Sequence, residues 1–326
     1  MNTYDAIVVG AGIAGASIAS EVAADLRVLL LERESQPGYH STGRSAAAFI
    51  PSYGHDNAAL RALTLASSAF LSHPPAAFSK VELLGRRGLL TVSPRGEGAS
   101  IAAEYQHLSG LVSNLTLLKP ASVQKLAPLL RSDYAQAAMF ERDVFDIDVD
   151  ALHQGYLRSV AARDGLVQCQ AEVQTLERKG DVWHLGTAQG EFRAPIVVNA
   201  TGAWADELAS KAAVRPIGLQ PLRRTVVLLE PPTGTDVSDW PLVLCSDESF
   251  YFKPDAGLIL ISPADEHPSP ATDAQPAELD IAYAVHLAET ALQLEHPRVR
   301  RSWAGLRSFV PDRTPVVGFD PCLLYT

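Results

Sequence analysis

Ala6-Ile7-Val8-Val9-Gly10-Ala11-Gly12-Ile13-Ala14-Gly15 is the stretch whose reading decides the fold. Ala6 to Val9 is a short apolar run rich in β-branched residues, as a buried parallel strand requires. The glycines then fall as G-x-G-x-x-G at a strand-to-helix junction, and Ala14 to Ala24 reads as alanine-rich helix. Gly10 permits the tight turn, Gly12 lets a pyrophosphate approach the backbone, and Gly15 lets helix and strand pack closely. The helix N-terminus, with Ala14 in its first turn, offers free N–H groups and a positive dipole end to phosphates. Arg27 to Leu31 is a second buried strand closed by Glu32, seventeen residues beyond Gly15. A carboxylate there accepts hydrogen bonds from ribose hydroxyls and repels a 2′-phosphate. Strand, glycine turn, helix and acid together favour dinucleotide binding over a bare turn with a surface glutamate.

Outward from this unit, Ala58 to Phe70 has helical periodicity, and short strands such as Gly88–Val92 follow. Helices are expected across Gly98–Gly110 and over Asp150 to Arg163, with Asp150 as N-cap. Glu172–Glu177, Val182–Gly186 and Glu191–Arg193 suggest an antiparallel meander. Ile196 to Ala200 is another buried strand, residues 216 to 262 are strand-rich, and Ala277 to Leu294 is helical. The expected fold is α/β: a Rossmann-like dinucleotide-binding domain interleaved with a mixed, largely antiparallel substrate domain. The first would comprise residues 1–80, 143–215 and 304–326, and the second 81–142 and 216–303.

At 326 residues the chain exceeds what one hydrophobic core usually holds. Acids outnumber bases 37 to 27, for a formal charge of −10, which argues against nucleic acid or an anionic membrane as the main partner. The three cysteines form no C-x-x-C pair and read as reduced thiols. The uncharged run Ala6 to Ser20 is fifteen residues, too short to span a membrane, and lacks a basic leader. The expectation is a cytoplasmic protein without a transmembrane segment, peripheral at the membrane at most. Asp146, Asp148 and Asp150 alternate like the start of a calcium loop. The sixth and twelfth positions, Ala151 and Leu157, are wrong for one. No H-E-x-x-H, G-x-S-x-G or P-loop occurs, so no metal, hydrolase or kinase reading is supported.

Two further segments bear on the cofactor. His40-Ser41-Thr42-Gly43-Arg44-Ser45-Ala46-Ala47 combines hydroxyls, an arginine and small residues, suiting a pyrophosphate and a flat ring system. Asn199-Ala200-Thr201-Gly202 ends a buried strand in small residues, as if a cofactor lay across it. With the N-terminal fingerprint they favour FAD over NAD. Arg307 stands alone in an apolar, aromatic stretch, Trp303 to Phe309, where its planar fork suits a carboxylate. Tyr251 is similarly flanked by phenylalanines. A structural Arg–Asp pair and a core tyrosine explain these two equally well.

These segments resemble the FAD-dependent D-amino-acid oxidase/dehydrogenase superfamily over nearly the whole chain, and within it the bacterial D-arginine dehydrogenases. The likeness is carried by Gln36 to Ala47, Asp150 to Arg158, Asp247 to Tyr251 and Trp303 to Phe309. The resemblance implies oxidative deamination of a D-amino acid, the Cα hydride passing to flavin N5 and the imine hydrolysing to oxo acid and ammonia. An unidentified acceptor takes the electrons. It implies that Arg307 clamps the substrate carboxylate with Tyr251, that Tyr53 closes the other side and that Arg224 lines the pocket. Glu32, Arg33, the loop Ser41 to Ala48 and Val173 would hold FAD.

Two departures qualify the match. Leu89 stands on the strand where the arginine-specific pattern needs a carboxylate, and Ala48 and Ile50 replace polar lining. An unpaired guanidinium beside leucine is costly, so apolar side chains are the expected preference. Beyond Gly318 the likeness ends, and the sequence reads as C-terminally truncated relative to the family. Alternatives are a relative oxidising N-methyl amines or 2-hydroxy acids, or a truncated remnant without flavin or activity.

Overall fold

The computed structural model describes residues 2–94, 98–134 and 136–320. The N-terminal strand Ala6–Val9 is central to a four-stranded parallel sheet, ordered Leu166–Gln168, Val28–Leu31, Ala6–Val9, Ile196–Asn199. Both inner strands are buried throughout, which explains their uninterrupted apolar runs. Alternate side chains serve different layers. Val8 and Leu30 pack under the helices Ile13–Val22 and Val149–Ala162, against Ala19 and Val160. Ile7, Val9, Leu29 and Leu31 face the meander Val173–Lys179, Val182–Thr187, Gly190–Ala194, against Leu185 and Phe192.

The helix starting near Asp150 is capped two residues earlier than expected. Asp148 has an extended backbone and accepts the Ala151 N–H at 2.8 Å, while Asp150 falls inside the first turn. Sequence reading passed over the strand Leu166–Gln168, whose three residues are too few for any periodicity.

A nine-stranded sheet forms the second centre of the molecule. Its path runs His267–Pro268, Gln220–Leu229, Leu258–Ser262, Tyr251–Asp255, Leu242–Cys245, Leu89–Val92, Ala138–Glu141, Leu115–Leu118, with Val299–Phe309 antiparallel to Gln220–Leu229. One face, with Val227, Ile261, Phe252, Val243 and Leu90, is closed by the helix Glu278–Ala291. The opposite face carries the groups described below. A division into a FAD-binding and a substrate domain remains a proposal. The boundary drawn at residue 304 cuts the strand Val299–Phe309, all of which belongs to this sheet.

Candidate active site

The glycine turn and the helix behind it build a cradle lined by Gly12, Ala14, Glu32, Thr42, Val173 and Ala200. Gly10 has φ of +100°, and a Cβ there would overlap the Ala200 carbonyl; one on Gly15 would overlap the Gly10 carbonyl. Protein packing alone therefore demands those two glycines. Gly12 differs: its Cβ would meet only the Thr42 hydroxyl, at 3.3 Å. Gly12 lines the cradle, and the absence of a side chain leaves room there for a ligand to come close to the backbone. The residues present fit a pyrophosphate at this point.

Glu32 is 7% exposed, and its two carboxylate oxygens accept the N–H groups of Ala11 at 2.9 Å and Glu34 at 3.0 Å. Those bonds fix it at the cradle wall with lone pairs left for ribose hydroxyls. Thr42 accepts the Ile13 N–H at 2.9 Å, and the buried His153 places Nε2 2.9 Å from the Ala11 carbonyl, holding the turn from below. At the rim, Arg33 lies 4.9 Å over the Trp204 ring and pairs with Glu34 at 3.3 Å and Glu172 at 3.8 Å. Gly202 has φ of +56° and open space on its Cα.

The loop Ser41 to Ala48 joins the cradle to the large sheet. Ser41 donates to the Leu306 carbonyl at 2.7 Å, and the Gly43 N–H donates to the Gly38 carbonyl at 2.7 Å. Arg44 is a strut: it donates to the carbonyls of Ala274 and Ala304 and to Asp273, and its carbonyl accepts the Trp303 indole N–H at 3.0 Å. Its guanidinium depresses the Asp273 carboxyl below the usual range. Ser45 is exposed. Ala46 packs against Trp303 and Val226, the Ala47 carbonyl accepts the Ile147 N–H at 3.3 Å, and Ala48 packs beside Leu89.

Cross-strand partners share a face of a sheet, so the register shows which residues look toward this loop. Leu222 opposes Arg307, Arg224 opposes Gly305 and Val226 opposes Trp303. The same face continues through Leu260 and Ser262 to Tyr251, then Leu244, Leu242 and Leu89. Four of the expected pocket residues, Ala48, Ile50, Leu89 and Tyr251, meet in one apolar cluster around Val144 and Leu242. Arg224 and Arg307 lie at the other end of this face. Tyr53 is 47% exposed, its N–H donating to the Ile50 carbonyl at 3.0 Å, and it lies within electrostatic reach of Arg313.

Two acids missed by sequence reasoning complete the face. Glu266 accepts from Arg224 at 3.2 Å, from Arg307 at 3.3 Å and from Arg313, whose hydrogen bond is the main cause holding the Glu266 carboxyl low. Three guanidinium groups around one carboxylate leave an excess of positive charge for a further anion. Glu141, 2% exposed, lies directly across the ladder from Leu89 and accepts the Ser52 N–H at 3.1 Å and hydroxyl at 2.5 Å. Burial pushes its carboxyl up. A lone acid ending the apolar run Ala137 to Phe140 was a signal for Glu141; Glu266 sits in a polar loop with none.

The curated relatives point the same way. The chain is 29% identical over 319 residues to the tRNA 5-methylaminomethyl-2-thiouridine biosynthesis bifunctional protein MnmC of Burkholderia vietnamiensis, covering 94% of this chain and 45% of that protein. It is 23% identical over 330 residues to glycine oxidase of Geobacillus kaustophilus, covering 98% of this chain and 85% of that protein. The crystal structure of that organism's glycine oxidase superposes with a TM-score of 0.85 at 22% identity, over 98% of this chain and 87% of the other. The chain thus spans about half the length of the bifunctional relatives it matches. The model of the FAD dependent oxidoreductases matches residues 5–325, nearly the full sequence, and the cradle and sheet described above are what that match covers: the chain belongs to the DAO family of FAD dependent oxidoreductases.

Proposed function

We propose that this flavoprotein oxidises carboxylate-bearing amines, D-amino acids with apolar side chains foremost. The observation that carries the reading is the polarity of one sheet face. It has Arg224 and Arg307 at one end, Tyr251 between, and Leu89, Leu242, Ala48 and Ile50 at the other. FAD, when bound, supplies the two-electron oxidation. The chain's own residues bind and align the substrate. Arg307 would take the carboxylate, and its contact with Glu266 through one nitrogen leaves the rest of the guanidinium for a second anion. Tyr251 packs against both the Leu89 and the Val226 clusters, and in this reading its hydroxyl would serve the substrate between its carboxylate and side-chain ends. Loop Ser41 to Ala48 ties this face to the cradle, so a substrate held at Arg307 is aligned with the cofactor. The D configuration rests on the sequence resemblance.

A second reading, oxidation of an N-methyl amine, draws on the methylaminomethyl group in one relative's name. Anaerobic mixing of the FAD-loaded protein with D-leucine, L-leucine, D-arginine, sarcosine and a 2-hydroxy acid, followed by flavin bleaching, separates these. Fastest bleaching by D-leucine supports the proposal; bleaching by sarcosine or the hydroxy acid alone replaces it. No helix among the described residues is long and apolar enough to cross a membrane, and a cytoplasmic location is part of the proposal.

A further inference from the structure

We infer that His55, Asp56 and His107 form a binding site for one divalent ion of the zinc type. It lies on the outer side of the loop that borders the substrate face. His55 Nε2 lies 3.0 Å from one Asp56 carboxylate oxygen, and His107 Nε2 lies 3.7 Å from the other. The ligand atoms of all three residues fall within 4.8 Å of one another, and the two imidazoles meet edge to face with centroids 5.5 Å apart. Zinc–nitrogen and zinc–oxygen bonds of about 2.0–2.2 Å in a tetrahedron place neighbouring ligand atoms roughly 3.3–3.6 Å apart. The two separations, each to a different Asp56 oxygen, lie on either side of that range, and with all three ligand atoms within 4.8 Å of one another, side-chain rotation can bring them onto one ion. Two imidazoles and one carboxylate suit zinc, nickel or copper, and three protein ligands leave a position for water.

The bland alternative is a pair of exposed His–Asp contacts, which hold little at a surface. What favours an ion is the convergence of two rings from separate segments, each with Nε2 turned toward the one Asp56 carboxylate. Neutral imidazoles sharing a cation satisfy all three groups. Glu104 lies one helical turn before His107, on the same face of the helix Gly98–Leu108. The other His–acid group among the described residues, Asp265, His267 and Asp280, lacks this availability. Asp280 is taken by Arg223 at 2.8 Å, and Asp265 by the Thr225 N–H and hydroxyl.

The proposed site stands independently of the flavin reading, and it has a structural consequence. His55 and Asp56 belong to the loop that also carries Ile50, Ser52 and Tyr53, whereas His107 belongs to a helix. A bound ion would tie the two together.

Calorimetric titration of Zn²⁺ into the full FAD-loaded chain, stripped of metal beforehand, tests the inference. One saturable equivalent is expected, with a rise in Tm on addition. His55→Ala and His107→Ala should each weaken binding by at least about tenfold, since even outer-sphere changes cost ten- to a hundredfold, and should abolish the Tm rise. His267→Ala should change neither. All three ligands are exposed or half-buried, so the variants should fold; Asp56→Asn provides a shape-preserving comparison if an alanine variant loses its native circular dichroism. Absence of saturable binding overturns the inference. So does parent affinity in His55→Ala, His107→Ala or Asp56→Asn, or a loss confined to His267→Ala.

Discussion

Replacing Gly12 by alanine separates the ligand's demand on the glycine turn from the protein's own. The backbone at Gly12 is extended, φ −74° and ψ −174°, a conformation alanine adopts readily. A methyl group there meets only the Thr42 hydroxyl, at 3.3 Å. Gly12 is also the helix N-cap, where alanine is less favourable, while reduced freedom of the unfolded chain works in the opposite direction. The net change in the flavin-free protein should stay within about 1 kcal/mol. The bound cofactor should respond quite differently. The methyl stands where phosphate oxygens must approach the amides of the helix start, and each charge-assisted hydrogen bond lost costs about 1.5–3 kcal/mol. Loss of one such bond weakens FAD binding roughly ten- to a hundredfold. Gly15→Ala is the contrast. Its methyl would overlap the Gly10 carbonyl, so the fold itself should lose about 3 kcal/mol or more. Flavin absorbance per chain, FAD titration and thermal unfolding of the flavin-free forms measure all three effects. A Gly12→Ala protein with full flavin content and parent affinity would refute the assignment of that space to pyrophosphate.

Arg307→Ala should lower kcat/KM for D-leucine roughly ten- to a hundredfold, the size of one lost charge-assisted bond; unchanged kinetics would remove Arg307 from carboxylate recognition. Leu89→Glu should shift kcat/KM from D-leucine toward D-arginine by supplying a partner for the guanidinium. A parent enzyme already preferring D-arginine would overturn the apolar-pocket reading while leaving carboxylate recognition by Arg307 standing. Glu141→Gln bears on stability against pH. The folded carboxyl sits above its ordinary value through burial, so ionised Glu141 opposes folding at neutral pH and ceases to do so as pH falls into the acid range. The glutamine variant, which keeps both Ser52 contacts, should match or exceed the parent's Tm at neutral pH and lose that advantage in acid; a lower Tm at every pH contradicts this. Glu266 has the opposite sign. Its carboxyl is held low by Arg313, so the stability it adds is present above its ordinary value near 4.5 and fades as pH falls below it. Glu266→Gln should therefore lower Tm at neutral pH and leave it unchanged in strong acid, as scanning calorimetry at both pH values would report.

The sequence by itself determined the glycine turn at the heart of the cradle, because that part of it is local; Val173 and Ala200 reach its wall only through the fold. A four-residue buried strand, three glycines at fixed spacing and an acid at the end of the next strand lie within a single strand–turn–helix–strand unit. The same holds for the meander, whose alternation is written in adjacent segments. The face proposed to hold the substrate was legible only as isolated residues. Arg307 and Tyr251 were marked by their apolar neighbours, and Leu89 by a departure from the family pattern, but nothing in their spacing placed them on one side of one sheet. That placement depends on strand register, which pairs Leu222 with Arg307 and Leu89 with Glu141 across separations of 85 and 52 residues. Glu141 and Glu266 escaped notice for the same reason, since a carboxylate's partners are chosen by the tertiary fold. Arg44 shows the reverse case. Its segment suited a phosphate, yet the fold brings Asp273 and two carbonyls to it, and a guanidinium already satisfied holds a loop in place.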